Sequence, residues 1–262
     1  MPPLAVIGNL SRDLVDGAPP RVGGAPYWSA RALRELGAPA LVAVKCADLD
    51  RRLLAPPVLV LGLPVLWLAA RSTAAFSFHY VGDRREMTVD SLGEAWTPED
   101  IRFIGDARWV HVGALARSDF PAETIAELAK GRRVSFDGQG LVRPARTGPL
   151  ELDAAYDPEV LRHVSILKLA EEEARVLVGG LDAAALGSLG VPEVVVTLGS
   201  QGSLVLAEGT LEQVDAAPVE GADPTGAGDA YAIGYLASRA DGQAPGAAAR
   251  RATELVARLL RR

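Results

Sequence analysis

The sequence predicts an α/β fold in which a mostly parallel β-sheet is covered by helices on both faces. Two observations lead to this prediction. Short apolar runs recur along the chain as strand candidates, at 6–8, 41–44, 109–112, 134–136, 166–167 and 194–196. Helical patterns separate several of these runs, and strands that alternate with helices are typical of a parallel sheet.

Local signals support several of the helices. Residues 25–36 have helical spacing, with Pro26 near the start and Gly37 just past the end, which is the order that helices favour. Thr97 can cap a helix that begins at Pro98, because its hydroxyl can accept a hydrogen bond from a free backbone amide. Further helical patterns cover 122–128, 229–237 and 247–260.

Two segments break the alternation of strands and helices. Residues 13–22 are short and turn-rich. Residues 76–81 and 86–89 alternate in polarity on either side of a Gly-Asp turn, so they read as a β-hairpin. Neither segment is followed by a helix, which sets both apart from the main sheet.

An uncharged stretch at 53–70 is nearly long enough to span a bilayer. Three prolines and a glycine interrupt it, and each proline removes a backbone donor. We therefore interpret 58–61 and 65–68 as two short buried strands and expect a soluble protein.

Composition excludes several classes of function. A chain of 262 residues can bury one substantial core, and a net charge of −6 disfavours a broad nucleic-acid surface. The single cysteine, Cys46, cannot form an intrachain disulfide and lies in an apolar run. The N-terminus has no pattern of a secretory signal. We therefore expect a cytoplasmic protein with neither nucleic-acid nor membrane partners.

The most informative segment reads Asp-Pro-Thr-Gly-Ala-Gly-Asp at 223–229. Gly226, Ala227 and Gly228 leave little side-chain bulk, so a ligand can approach the backbone. The residues that follow can form a helix, whose free N-terminal amides favour an anion. Asp229 would supply a base beside that anion, which suits phosphoryl transfer. The alternative is a tight loop in which Asp229 only caps the helix.

This string, followed by a small residue, an aromatic and a Gly-containing apolar helix, resembles the signature of the ribokinase-like (PfkB) carbohydrate kinases. The resemblance implies a three-layer sandwich in which the whole chain, 1–262, is a single kinase domain. Segments near 13–22 and 74–90 would form a small β-sheet lid, often used as a homodimer surface. It also implies that Asp229 is the catalytic base, that the Gly226–Gly228 amides (with Ala227 between) form an anion hole, and that ATP and Mg²⁺ are the cofactors.

Two N-terminal motifs match the family's substrate side. Asn9 and Asp13 belong to the first-strand exit, where the family uses an aspartate to hold substrate hydroxyls. A carboxylate can accept two such hydrogen bonds, although Asp13 could also be a solvated turn residue. Gly23 and Gly24 match a glycine pair that lets substrate reach the backbone. Trp28 stands where many members have Asn, and it could stack on a substrate ring or fill the core.

Motifs in the second half of the chain match the family's nucleotide side. The implied cofactor-binding residues are Lys168, Thr197, Gly199, Gly202, Thr225 and Gln139. Glu173 occupies the glutamate position of an Asn-x-x-Glu segment, which in the family helps to place Mg²⁺ through water, and Ala170 replaces the Asn. Glu173 could instead simply favour the first turn of a helix.

The sequence therefore predicts an ATP-dependent phosphotransferase that moves the γ-phosphate to a hydroxyl of a small sugar, sugar acid or cyclitol. Two alternatives stay open. One is a nucleoside kinase in which Tyr27 or Trp28 stacks on a base, and the other is a catalytically idle small-molecule sensor with the same fold. The sequence has no P-loop, dinucleotide-binding or nucleophile-elbow motif.

Overall fold

A nine-stranded sheet forms the centre of the molecule in the computed structural model, which describes residues 4–81, 84–216, 219 and 223–261. The strand order is β14-β13-β12-β11-β9-β8-β1-β4-β5. Its strands are β1 (Leu4–Asn9), β4 (Ala40–Ala47), β5 (Val65–Ala70), β8 (Trp109–Gly113), β9 (Arg133–Asp137), β11 (Ile166–Ala170), β12 (Glu193–Thr197), β13 (Ser203–Ala207) and β14 (Thr210–Val214).

The sheet is mostly parallel, as the sequence predicts. All neighbouring strands from β5 to β12 in the spatial order are parallel. At the other edge, β13 pairs antiparallel with both β12 and β14. Each of the six predicted strand runs lies inside an observed strand. The α/β class is therefore confirmed.

Helices cover both faces of the sheet, and the alternation of β1 decides which side chains meet them. Leu4 and Val6 pack in a core with α1, α8 and α9, whereas Ala5 and Ile7 pack in the core on the opposite face. Because successive strand residues point to opposite faces, both faces of a buried strand are apolar. The helices are α1 (Ala25–Leu36), α2 (Arg51–Leu59), α3 (Pro98–Ile101), α4 (Ala122–Leu128), α5 (Gln139–Val142), α6 (Glu171–Val178), α7 (Ala183–Gly187), α8 (Ala227–Ala240) and α9 (Pro245–Leu260).

The predicted helix signals act as expected at two helix ends. Pro26 lies in the first turn of α1, and Gly37 ends the helix with a left-handed φ of 61°. Thr97 caps α3, where its hydroxyl accepts a hydrogen bond from the Asp100 amide and the Asp100 carboxylate accepts one from the Thr97 amide.

The prediction of a buried strand at 58–61 is wrong, because residues 51–59 form α2. Leu54, Ala55 and Val58 are buried at helical spacing, and this stripe outweighs the prolines that argued against a helix. The second predicted run, 65–68, is in a strand, but β5 is an edge strand and only half-buried. No helix among the described residues is long and apolar enough to cross a bilayer.

A second, five-stranded sheet, here called the lid sheet, lies over the carboxyl end of β1. Its strands are β2 (Ser11–Val15), β3 (Arg21–Gly23), β6 (Ala74–Val81), β7 (Arg84–Ser91) and β10 (Gly148–Pro149). Phe76 and Phe78 are buried on its inner face, and His79, next to Phe78 in β6, is exposed on the opposite face. The predicted turn at 82–83 lies outside the described residues, and the predicted homodimer through this sheet stays a prediction.

Candidate active site

Parallel strands place their carboxyl ends at one edge of the sheet, where α/β proteins bind ligands. Asp137 ends β9 and faces Lys168 of β11 in register. The Lys168 Nζ lies 3.4 Å from the Asp137 Oδ2, and both residues are buried. An ion pair in this setting is held rigidly, so the ammonium group has a fixed position below the start of α8.

The start of α8 forms a turn with very little side-chain bulk. Gly226 adopts a left-handed φ of 79°, a conformation that glycine adopts at little cost. Gly228 lies so close to Lys168 that a Cβ added there would be 2.9 Å from Nζ. The start of α8 and the Lys168 ammonium group therefore lie close together, and a helix N-terminus beside a cation favours an anion.

One detail of the predicted anion hole differs from the expectation. The Ala227 amide donates a hydrogen bond to the Pro224 carbonyl at 3.0 Å, because residues 224–227 form a tight turn. The amides of Gly226 and Gly228 lie on either side of an amide that the turn already uses, and their role in an anion hole stays a prediction.

Asp229 follows directly in the first turn of α8. Its Oδ1 is buried and has no hydrogen-bond partner among the described residues. Burial raises the pKa of this carboxyl group to about 7, assisted by the nearby Asp137 and opposed by the Lys168 and Arg143 cations. A buried carboxylate with an unused oxygen and a pKa near neutrality is suited to accept a proton.

Asp229 lines a cavity of about 90 Å³ that lies beneath the lid sheet and is here called the lid-side cavity. Asp13, Gly24 and Trp28, which the sequence predicts on the substrate side, also line it. The structure thus brings residues from the beginning and the end of the chain to one small volume that contains two carboxylates.

The glycine pair at 23–24 is required by close contacts around Asp13. A Cβ at Gly23 would lie 2.0 Å from the Asp13 Oδ2. Gly24 has a φ of 95°, and a Cβ there would lie 2.5 Å from the Asn9 carbonyl oxygen. The Asp13 Oδ1 accepts a hydrogen bond from the Ser11 hydroxyl at 2.7 Å. The pair therefore lets the carboxylate pack against the backbone beside the cavity.

Asn9 does not line the lid-side cavity, contrary to its predicted place among the substrate-binding residues. Its amide group donates to the Glu94 carbonyl at 3.2 Å, and its Oδ1 accepts from the Trp96 indole at 3.1 Å. These bonds hold the side chain inside the protein, where it fastens the segment that follows the lid sheet.

A larger cavity of about 640 Å³, here called the α9-side cavity, opens on the other side of the α8 start. Of the predicted cofactor-binding residues, it is lined by Lys168, Thr197, Gly199 and Gly202, and also by Ala227 and Gly228. Leu198, Val256 and Leu260 contribute apolar side chains to its lining, and the buried Oγ1 of Thr253 has no hydrogen-bond partner among the described residues.

Two predicted cofactor-binding residues, Gln139 and Thr225, line the lid-side cavity instead. Gln139 begins α5, and its backbone amide donates a hydrogen bond to the Asp137 carboxylate at 3.1 Å. The Asp223 carboxylate accepts hydrogen bonds from both the amide and the hydroxyl of Thr225, at 2.9 and 2.6 Å. Both residues follow a turn that carries them under the lid sheet.

Glu173, predicted to place a metal through water, lines neither cavity. Its Oε2 accepts a hydrogen bond from the Ala170 amide at 2.8 Å, which caps α6. Burial raises the pKa of Glu173, opposed by Lys168. Within the described parts of the chain, no group of three or more potential ligands could hold a metal ion by itself. The Glu173 carboxylate offers oxygen atoms, the type of ligand that a hard cation prefers.

Sequence reasoning missed several residues of the lid-side cavity. Phe76 and Phe78 reach it from the lid sheet, Leu115 follows β8, and Arg143 follows α5. Arg143 is the one cation among the described residues that line this cavity. Arg143 lies far from the other motifs in the sequence, so no local pattern points to it. The alternation of residues in the hairpin, by contrast, could have predicted that Phe76 and Phe78 face inward.

Comparison with known proteins places this site in a family. Residues 70–260 match the model of the pfkB family carbohydrate kinases. A fructokinase of Salmonella thompson is 32% identical over 154 residues, which are 54% of this chain and 68% of that protein. A cytidine kinase of Thermococcus kodakarensis is 32% identical over 169 residues, 60% of this chain and 56% of that protein. The chain therefore spans about half to two thirds of the length of such relatives.

The fold is also shared with solved structures. A pyrophosphate-dependent kinase of the ribokinase family, complexed with a pyrophosphate analogue and myo-inositol, superposes with a TM-score of 0.87 at 24% identity, over 98% of this chain and 95% of that one. The resemblance found in the sequence is thus confirmed. The chain belongs to the pfkB family and is a carbohydrate kinase with the ribokinase fold.

Proposed function

We propose that the protein transfers the γ-phosphate of ATP to a hydroxyl of a small sugar, sugar acid or cyclitol. One observation supports this most strongly. The Asp229 carboxylate has one buried oxygen with no hydrogen-bond partner among the described residues, and it lines the lid-side cavity directly beside Ala227 and Gly228, which line the α9-side cavity. Two reactants in these two cavities would meet at that carboxylate.

The proposed reaction uses the groups at the α8 start in separate roles. The acceptor hydroxyl lies in the lid-side cavity, and Asp229 accepts its proton as the oxygen attacks the γ-phosphorus. The Gly226 and Gly228 amides and the Lys168 ammonium group stabilise charge on the transferred phosphoryl group. Asp13 accepts hydrogen bonds from other hydroxyls of the acceptor, and Gly24 lets it approach the backbone.

The shape of the α9-side cavity supports a nucleoside triphosphate as the donor. Its volume of about 640 Å³ and the apolar side chains of Leu198, Val256 and Leu260 in its lining suit a base and a ribose. Pyrophosphate has no apolar part to fill this space, although it is named as the donor of the kinase that superposes at 0.87.

The nucleotide's phosphates would carry a magnesium ion, which would supply positive charge against theirs. Glu173 is the residue proposed to hold that ion through water, with Asp137 close to the same Lys168 cation. Carboxylates beside Lys168 raise the pKa of its ammonium group against the opposing effect of burial, so Lys168 stays charged toward the phosphates.

A nucleoside is the second candidate acceptor, because a cytidine kinase is 32% identical over 169 residues. The small lid-side cavity, at about 90 Å³, favours a sugar or cyclitol over a nucleoside, which carries a base in addition to its ribose.

The test is a turnover screen of the purified chain against sugars, sugar acids, cyclitols and nucleosides, with Mg·ATP and with Mg·pyrophosphate in parallel arms. We expect ATP-dependent phosphorylation of a sugar or cyclitol. Turnover with pyrophosphate but not with ATP would contradict the proposed donor. Turnover of nucleosides only would contradict the proposed acceptor. Binding of ATP without turnover of any acceptor would overturn the proposed reaction.

A further inference from the structure

Trp28 makes an unusually close contact with the glycine at which α8 begins. A Cβ added to Gly226 would lie 2.4 Å from Cδ2, 2.5 Å from Cε3 and 2.7 Å from Cγ of Trp28. All three atoms belong to the indole ring system, so the ring lies directly against the Gly226 Cα. Only glycine can take this contact at a φ of 79°.

The ring is itself held from α1. Arg31 lies one turn further along that helix and stacks over the indole, with its Cζ 5.0 Å from the ring centroid. Tyr27 meets the ring edge-on, with centroids 5.0 Å apart. The position of the indole is therefore set by its neighbours on α1, and Gly226 must conform to it.

Trp28 also separates two spaces. One side borders the lid-side cavity, and the other borders a cavity of about 230 Å³ behind the α8 start, here called the rear cavity. Arg31, Ala230 and Leu259 line the rear cavity. The Gly226 turn borders the open space of the rear cavity, so on this side the indole is the group that limits its movement.

We propose that Trp28 is a positioning residue: its indole fixes Gly226 in the left-handed conformation that aims the first-turn amides of α8 at the transferred phosphoryl group. Its effect on the acceptor is secondary. This inference rests on the proposed role of the α8 amides in phosphoryl binding. Since misplacement by about 1 Å can cost about 100-fold in rate, a contact at the helix start is enough to govern turnover.

Two substitutions at this position test the proposal in the full chain. Trp28→Ala should lower kcat by roughly 10-fold to 100-fold while the acceptor KM changes by less than about 3-fold. Trp28→Phe, which keeps a ring face on Gly226, should restore kcat to within about 5-fold of the parent protein. A rise in acceptor KM with unchanged kcat would overturn the proposal, because it would show that the ring only binds the acceptor.

The chain offers a matched control in Trp67, another partly buried tryptophan. The Arg51 Cζ stacks 5.0 Å from its ring centroid, as Arg31 does over Trp28, but Trp67 lies on β5 at the edge of the sheet. Trp67→Ala should leave kcat within about 2-fold of the parent protein. An equal loss of kcat in both alanine variants would assign the effect to general destabilisation and contradict the proposal.

A double-mutant cycle measures the contact without any turnover. Gly226→Ala should weaken binding of a non-hydrolysable ATP analogue, measured by calorimetry, because the new methyl group meets the indole. In the Trp28→Ala background the obstructing ring is gone. There the loss of affinity caused by Gly226→Ala should be smaller than in the parent protein by a factor of at least about 5. Equal effects in both backgrounds would overturn the inference. The cycle stands even if no acceptor is phosphorylated, so its failure is distinguishable from failure of the proposed reaction.

Discussion

The two cavities on either side of the α8 start differ in size, in lining and in the part of the chain that builds them. The α9-side cavity, about 640 Å³, is built by residues after position 167, and its lining includes several apolar side chains. The lid-side cavity, about 90 Å³, combines residues from positions 11 to 229 and contains two carboxylates and a cation. One cavity offers backbone amides and volume, and the other offers a small set of charged side chains.

This difference suggests a division of labour. A large cavity with glycine turns accepts a ligand through its phosphates and tolerates change in side chains. A small cavity with fixed charged groups selects by hydroxyl geometry and rejects misfits. Substitutions should therefore affect the donor or the acceptor separately, except at the α8 start, where both cavities meet.

The largest effect is expected at that meeting point. Asp229→Asn keeps the size of the side chain but removes the base, so kcat should fall by a factor of about 10² to 10⁴. Steady-state turnover with saturating donor and acceptor measures it. Asp241→Asn, at the other end of the same helix, is the matched control and should leave kcat unchanged. Turnover of Asp229→Asn within about 3-fold of the parent protein would refute the role of the carboxylate as base.

A second substitution should act on the donor side. Gly228→Ala places a methyl group 2.9 Å from the Lys168 Nζ, and the ion pair with Asp137 prevents the ammonium group from moving freely. We expect kcat/KM for the donor to fall roughly 10-fold to 100-fold. Gly187→Ala, whose added Cβ would find its nearest neighbour at 3.8 Å, is the control. An equal loss of kcat/KM for the donor in Gly228→Ala and Gly187→Ala would show that the effect is not specific to the donor side of the α8 start.

A third substitution should act on the acceptor side alone. Asp13→Asn replaces one acceptor oxygen with a donor, so the acceptor KM should rise about 10-fold, with the donor KM within about 2-fold of the parent value. Asp16→Asn, an exposed position in the turn after β2, serves as the control. If the donor KM rose in parallel, the two cavities would not act separately.

The smallest effect concerns stability. Because the pKa of Asp229 is raised to about 7 in the folded protein, the folded state holds this proton more tightly than the unfolded chain does. The stability contributed by that proton is present at low pH and is lost as the pH rises through 7. Asp229→Asn should therefore raise the melting temperature at pH 8.5 by a few degrees (about 2–4 °C per kcal/mol) and much less at pH 5. Calorimetric scans at pH 8.5 and pH 5 measure the two melting temperatures. An equal change in melting temperature at both pH values would contradict the raised pKa of Asp229.

The two cavities also differ in how far the sequence predicts them. The α9-side residues Lys168, Thr197 and Gly199 lie in or just after the carboxyl-terminal halves of β11 and β12, where parallel topology carries them to one edge. The strands and the α8 turn could be read from apolar runs and glycines. These features depend on local backbone geometry, which short motifs specify.

The lid-side cavity was harder to predict because its contacts are long-range. Arg143 and Leu115 reach it through connections that carry no motif. Gln139 and Thr225 were expected with the nucleotide and lie under the lid sheet instead, and Asn9 turns inward to Trp96. The helix at 51–59 shows the same limit, since its apolar stripe has meaning only once the neighbouring strands are in place.

The pH dependence of kcat/KM for the acceptor tests the central claim most directly. If Asp229 is the base that links the two cavities, kcat/KM should rise about tenfold per pH unit below the pKa of about 7 and level off above it. The residual activity of Asp229→Asn should not show this ionisation. A parent profile that is flat from about pH 5.5 to 8.5, or the same ionisation in the Asn variant, would contradict the account.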